Sequence, residues 1–254
     1  MSIHLKAPAE IAVMAEGGRR LACILAELKK AAKPGVTTAA LDARARELLD
    51  ETGTTSAFLG YRPSGAADGF PAALCASVNE TIIHGIPSPY VLREGDVLKI
   101  DMGLIHEGFY LDAAITVGIG KIDAKATALM RATREALDAG IKAARPGATL
   151  GDVGAAIAAR IGKDGFSVAQ GLVGHGIGRA LHEDPNVFNV GRPGEGEELR
   201  PGMVIAIEPM AAAGKGRVKQ LKDDTFVVAD GSIGAHFEHT VAITDKGPQV
   251  LTQL

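Results

Sequence analysis

Two segments of the chain repeat each other. LAELKKAAKPGVT (residues 25–37) and LDAGIKAARPGAT (residues 137–149) are identical at seven of thirteen positions at a constant offset of 112, with Lys33 facing Arg145. A fold that accommodates this repeat must place the same local structure twice. Each copy closes a helix-patterned run with Pro-Gly and opens another at a threonine, the residues that stop and start helices. In the first copy Ile11, Met14, Leu21, Ile24, Leu25 and Leu28 fall near helical spacing and predict an amphipathic helix over 8–33, ended by Pro34-Gly35. A second helix is predicted over 37–52, starting at a Thr37-Thr38 cap and stopping before Gly53. The second copy again ends one helix and begins another in TLGDVGAAIAARIGKDG. Strand-like runs repeat as well: GDVLKID (95–101) resembles GMVIAIE (202–208), and YLDAAITV (110–117) resembles FEHTVAIT (237–244). The expectation is one α/β (α+β) domain over 1–254, built from two helix-helix-strand halves at about 8–118 and 122–245, not two independent domains.

The duplicated strands each carry an acid, Asp101 and Asp112 in the first half, Glu208 and Glu238 in the second. Halves that bury their apolar faces against each other bring these four carboxylates toward one pseudo-twofold axis. There they repel and lose hydration unless protonated or bridged by cations. Two divalent ions neutralise all four charges, and one histidine added to four acids gives the five protein ligands of a dinuclear hydrolytic centre. Oxygen-rich ligation favours Mn, Fe or Co, admits Zn, and argues against a thiolate-built structural site. The halves differ in their loops: Asp101 and Asp112 are 11 residues apart, room for a hairpin, whereas Glu208 and Glu238 are 30 apart. The longer excursion contains GKGRVKQLKDD and is expected to be a solvated surface loop or a longer hairpin.

Histidines concentrate in GLVGHGIGRALHEDPNV (171–187), which holds His175 and His182. Gly174, Gly176 and Gly178 argue against helix there, so the backbone is expected to be extended or tightly turned. Alternation along such a backbone throws residues an odd number apart to different faces, and the two imidazoles are expected to face different parts of a site. His236 and His239 flank Glu238 as candidate supporting partners, with His239 on the face opposite the glutamate. His4 and His106 read as ordinary terminus and turn residues.

Composition excludes several functions. Acids and bases are interspersed, 30 against 27, for a net charge of -3, which does not suit a general nucleic-acid or membrane binder. The two cysteines, Cys23 and Cys75, form no CxxC pair; they fit a reducing compartment and are expected to be small buried side chains. No run approaches the roughly 20 apolar residues that span a bilayer, and the N-terminal stretch does not resemble a secretory signal. A cytoplasmic location is expected.

Taken together, HGIGRALHEDPNV, IEPM, FEHT, NETIIHGIP and KIDMG, with Asp112 eleven residues beyond Asp101, resemble the type I methionine aminopeptidases of the pita-bread fold. The resemblance spans about residues 8–250. The long insertion typical of the type II enzymes is absent and no zinc-finger extension precedes the domain, so the minimal bacterial form is the closest match. It implies two pseudo-symmetric halves around a mainly antiparallel curved sheet. It also implies two divalent metal ions (Co, Mn, Fe or Zn) held by Asp101, Asp112, His175, Glu208 and Glu238. Asp112 and Glu238 would bridge, Asp101 would serve one ion, and His175 with Glu208 the other. Glu208 would also take the proton of the attacking water. His182 would donate to the scissile carbonyl as it becomes tetrahedral, and His84 would contact the scissile amide nitrogen or substrate backbone and assist the leaving group. Tyr61, Phe70 and Cys75 would line a pocket for an unbranched thioether.

The activity so implied is removal of the initiator methionine from nascent polypeptides, with a preference for a small second residue, at the ribosome and by a monomer without nucleic-acid or membrane partners. Two alternatives differ in class. An Xaa-Pro peptidase of the same fold normally carries a large extra N-terminal domain, and a non-catalytic peptide- or ribosome-binding relative usually loses metal ligands. The sequence also departs from the family pattern. It has no tryptophan, the aromatic that well-known members place before FEHT, and Ala113, Ala114, Gly103 and Ala206 stand where hydroxyl residues are common near the metals.

Overall fold

A computed structural model of the chain describes residues 3–62 and 68–254. Four helices, α1 (Pro8–Ala31), α2 (Thr38–Thr52), α3 (Ala124–Ala143) and α4 (Leu150–Lys163), occur as two pairs. Between and after the pairs run the strands. β1 (Thr55–Ser56), β2 (Cys75–Val78), β3 (Thr81–Ile83), β4 (Val97–His106) and β5 (Phe109–Gly118) belong to the first half. The second half contains β6 (Ser167–Val168), β7 (Val173–Gly176), β8 (Glu183–Phe188), β9 (Val204–Ile207), β10 (Met210–Ala212), β11 (Val218–Gln220), β12 (Phe226–Val228), β13 (Gly234–His236), β14 (Glu238–Thr244) and β15 (Gly247–Val250).

The repeated segment has the same structural role in both halves. Thr37 caps α2, its hydroxyl accepting the Ala40 N–H at 3.1 Å, and Thr149 caps α4, accepting from Asp152 N while the Asp152 carboxylate accepts from Thr149 N at 2.8 Å. The Pro-Gly pairs turn the chain between helices through Gly35 and Gly147 at φ +91° and +82°, a region open to glycine without a Cβ clash. Helix α1 stops at Ala31, two residues before the expected end, because the residue before Pro34 is pushed out of helical conformation.

The principal sheet has nine strands, in the order β1-β4-β5-β14-β9-β7-β8, with β2 also on β4 and β15 also on β14. All its pairings are antiparallel. β4 and β5 form a ten-rung hairpin turned at Glu107 and Gly108, both at positive φ, as a tight two-residue hairpin requires. The helices cover this curled sheet. Met14, Leu21, Leu25 and Leu28 of α1 join Leu98, Ile100 and Met102 of β4 in one core. Leu129, Leu137, Val153 and Ile157 of α3 and α4 join Ile205, Ile207 and Val241 in the other. This is the pita-bread architecture, an antiparallel half-barrel with a helix pair from each half.

Of the two cysteines expected to be buried, one is. Cys75 is buried on β2, but Cys23 is exposed, because it lies on the outer face of α1 while its neighbours Leu21, Ile24 and Leu25 fill the core. Among the described residues no helix is long and apolar enough to cross a membrane.

Candidate active site

Strand register alone brings the acids together. Asp101 on β4 pairs with Ala114 on β5, and Ala114 pairs on its other side with Glu238 on β14. Asp112 precedes Ala114 by two residues and so shares its face. His239 pairs with Ile207, and one further antiparallel step sets Glu208 beside Glu238. Cys75 pairs with Asp101 at the other end of the row. All four acids are buried.

β7 lies against β9 and supplies His175. A Cβ on Gly174 would stand 2.3 Å from Ala206 O, so only glycine allows this approach. His175 Nδ1 lies 2.9 Å from the Gly176 carbonyl, to which it donates, so Nε2 carries a lone pair; it points at Glu208 Oε1, 3.7 Å away. Burial first, and then His182, hold the His175 imidazole neutral, its pKa lowered to about 3.

His182 is closer to His175 than expected from alternation: the rings meet edge to face at 4.4 Å. Alternation governs a single strand, whereas here β7 and β8 fold back on each other and pair Gly176 with Glu183, which sets 175 and 182 diagonally across the hairpin on one face. Their bonding still differs. His182 Nδ1 lies 2.6 Å from the Tyr61 hydroxyl, and burial lowers its pKa to about 4. Burial also raises the Tyr61 phenol, so that it keeps its proton.

His84 follows β3 at φ +57°, a left-handed conformation uncommon outside glycine. Its carbonyl accepts from the Thr225 hydroxyl at 3.1 Å, and its ring meets Phe226 edge to face at 5.4 Å. Both partners belong to the long second-half excursion. That excursion contains the hairpin β11–β12, as one of the two expectations held, but it is not simply a solvated loop. β12 pairs with β3, which carries Lys222, Asp223 and Asp224 to the mouth of the site.

A cleft of about 1230 Å³ opens over the row of acids. All ten residues that the resemblance assigns to the site line it: Tyr61, Phe70, Cys75, His84, Asp101, Asp112, His175, His182, Glu208 and Glu238. Phe70 meets Phe58 edge to face at 6.4 Å, and its backbone N–H donates to Tyr61 O at 2.8 Å. The chain leading to Cys75 is fastened by Asp42, whose carboxylate accepts from Ala73 N at 2.7 Å. His4, of the N-terminal segment, also lines the cleft. His106, by contrast, is a buried residue at the end of β4, away from the cleft. His239 faces away from Glu238, as alternation requires, with Nδ1 2.9 Å from the Thr252 hydroxyl.

Electrostatically the row is unfinished. Burial and neighbouring carboxylates push Asp112 and Glu238 well above the usual carboxylate range, burial raises Glu208 to about 8, and burial raises Asp101 to about 7. Asp101 Oδ1, Asp112 Oδ1 and Glu238 Oε1 are buried without a hydrogen-bond partner among the described residues. Ligand atoms of Asp112, His175 and Glu238 lie within 4.8 Å of one another, as do those of Glu208, His236 and Glu238. Buried anionic oxygens and an imidazole lone pair all directed at one space are the donor set that divalent cations satisfy.

The sequence pattern of metallopeptidase family M24 matches residues 12–245. The chain belongs to that family. As an M24 member it is a hydrolase that works with divalent metal ions. It is 46% identical to the methionine aminopeptidase of Clostridium perfringens, over 98% of each chain, and 42% identical to methionine aminopeptidase 1 of Bacillus subtilis, over 99% of this chain and 100% of that one. The crystal structure of the Thermotoga maritima methionine aminopeptidase superposes with a TM-score of 0.94 at 41% identity, covering 100% of both chains.

Some of this M24 site was not legible in the sequence. Phe226 and Lys222–Asp224 reach it only through the pairing of strands β12 and β3, which no local pattern announces. His236 was legible in part, since it lies two residues before Glu238 and therefore on the same face.

Proposed function

We propose that the chain is a metal-dependent aminopeptidase that removes the N-terminal methionine of polypeptides, preferring a small second residue. The observation that carries this reading is the row of four buried carboxylates beside the His175 lone pair, set at the floor of a cleft walled by His84, His182 and Tyr61. In it Asp101, Asp112, His175, Glu208 and Glu238 would hold two divalent ions. When bound, the ions supply Lewis acidity that makes water a nucleophile near neutral pH and polarises the scissile carbonyl.

The chain's own groups do the rest. Glu208, a carboxylate beside the site of the nucleophile, accepts the proton of the attacking water. With Tyr61 donating its hydroxyl proton to Nδ1, His182 carries its proton on Nε2 and donates it as a hydrogen bond to the carbonyl oxygen as charge develops there. His84, held in its unusual conformation by Thr225 and Phe226, contacts the scissile nitrogen and assists its departure. Tyr61, Phe70 and Cys75 supply apolar walls for the unbranched thioether side chain. A bulky second residue would crowd the floor where the acids stand.

The whole chain acts as one catalytic domain, a reading supported by the sheet that draws neighbouring strands β5 and β14 from different halves. It works on nascent polypeptides at the ribosome, in the cytoplasm and as a monomer; its two unpaired cysteines suit a reducing compartment. An Xaa-Pro peptidase or a non-catalytic relative is not favoured, because the relatives matched along their whole length are methionine aminopeptidases. Metal-free protein reloaded with Mn, Fe or Co is expected to release methionine from Met-Ala-Ser and to leave Ala-Pro-Ala intact. Cleavage of Ala-Pro-Ala instead would sink the proposal. Glu208→Gln is expected to abolish turnover while peptide binding remains measurable.

A further inference from the structure

His236 takes no part in the chemistry described so far, yet its surroundings make it a candidate for one. It closes strand β13, opposite Met210 on β10, and is 1% exposed. Its backbone is fixed on both sides by Thr116 of β5, whose hydroxyl donates to His236 O at 2.5 Å and accepts from His236 N at 2.9 Å. The side chain is therefore held in place, but neither ring nitrogen has a hydrogen-bond partner among the described residues. Leaving an imidazole buried and unsatisfied is costly.

The direction of the ring says what would satisfy it. Nε2 lies 3.4 Å from Glu208 Oε2 and 3.9 Å from Glu238 Oε2. At 3.4 Å it is too far for the charge-assisted hydrogen bond of an imidazole to a carboxylate, which is about 2.7–2.9 Å long. The distance suits two donors of a common ion: ligands about 2.1 Å from a metal and roughly 109° apart at it stand about 3.4 Å from each other. The two oxygens of Glu208 thus face different imidazoles, Oε1 toward His175 and Oε2 toward His236.

We infer that His236 is a sixth protein ligand of the metal centre, binding through Nε2 on the side of Glu208 and Glu238 away from His175. The inference rests on the proposed metal centre and adds to it a second nitrogen donor. A centre with two imidazoles is biased toward Co, Fe or Zn relative to Mn, since imidazole is a better match for those ions than for Mn. His236 is not a residue of the cleft wall, so the assignment concerns metal retention and not contact with substrate.

Proton NMR of the Co(II)-loaded protein, labelled with 15N at histidine, reads the ligands directly, because an imidazole on Co(II) gives a strongly shifted exchangeable N–H signal. The wild type is expected to give two such signals, and His236→Gln one, with Co(II) affinity lowered at least 10-fold by calorimetry. His239→Gln, altered on the opposite face, is expected to keep both signals. A second variant, His236→Cys, is expected to introduce an intense near-ultraviolet thiolate-to-cobalt band that the wild type lacks, and it reports even if the glutamine variant fails to fold. One shifted signal in the wild type that persists in His236→Gln, or no new band in a folded His236→Cys protein, overturns the inference while leaving the metal centre in place. No shifted signal in the wild type at all overturns both.

Discussion

Lys99 is the largest fully buried side chain among the described residues, and replacing it with methionine is expected to stabilise the fold at neutral pH. Burial lowers its pKa from 10.5 to about 7, against the opposing pull of Glu80 and Asp96. The folded pKa lies below the unfolded one, so between about pH 7 and 10.5 the unfolded chain binds more protons than the folded chain. Stability linked to this group therefore rises with pH through that window and is at its lowest below it. A difference of about 3.5 pKa units corresponds to about 5 kcal/mol between the ends of the window. The ammonium donates to Asn79 O at 2.7 Å and to Val97 O at 3.3 Å. Both carbonyls keep another donor when it is removed, Gly234 N at 3.0 Å and Asn79 N at 2.8 Å. The loss therefore amounts to two hydrogen bonds of about 1 kcal/mol each, with no carbonyl left bare. Lys99→Met is expected to gain about 2–3 kcal/mol at pH 7 and to lose that advantage by pH 10. Urea unfolding of both proteins with EDTA, at pH 7, 8, 9 and 10, measures the difference free of metal linkage. A stability difference that does not change with pH, or a variant less stable at every pH, refutes the reasoning and means that the buried amine is charged and paired.

Thr240→Val is expected to lower stability by about 1–3 kcal/mol in chemical denaturation and to weaken metal binding at least 10-fold by calorimetry, because the Thr240 hydroxyl both accepts from Asp112 N at 3.0 Å and donates to Asp112 O at 2.8 Å. Tyr61→Phe is expected to reduce kcat about 10-fold or more with Co(II) affinity unchanged, since it frees the His182 tautomer without touching an acid; equal kcat in the two proteins counts against the role given to His182. Metal uptake is expected to release protons and to weaken as pH falls toward 6, because burial raises the pKa of all four acids in the metal-free protein; titration calorimetry in buffers of different ionisation enthalpy counts those protons, and none released at pH 7 contradicts the raised pKa values.

The parts of the fold legible in the sequence were those set by local chemistry or by strict alternation. Thr37 and Thr149 cap helices and Gly35 and Gly147 turn them, so the repeat could be read as two helix pairs without knowing how they pack. The acids were legible because each sits in a β-branched run whose faces alternate, and the register then sets Asp101, Ala114 and Glu238 in one row. What failed was reasoning carried across a turn. Treating His175 and His182 as members of one extended segment separated them, while the β7–β8 hairpin brings their rings into contact. Long-range pairing was equally hidden: nothing near Phe226 says that its strand will lie on β3 beside His84. Cys23 was misplaced for a simpler reason, since a small thiol between core residues on a helix can lie on either side of the apolar stripe.

The pairing of β5 with β14 is short, two rungs at Glu238–Ala114 and His239–Ala113, and it joins strands from different halves. On either side of that junction stand Asp101 and Asp112 from one copy of the repeat and Glu208 and Glu238 from the other. Neither copy alone owns a complete site. The catalytic centre is a product of the join, so an ancestor with one copy could have reached it only by self-association, and any ion held there fastens together the two halves whose meeting created its cradle.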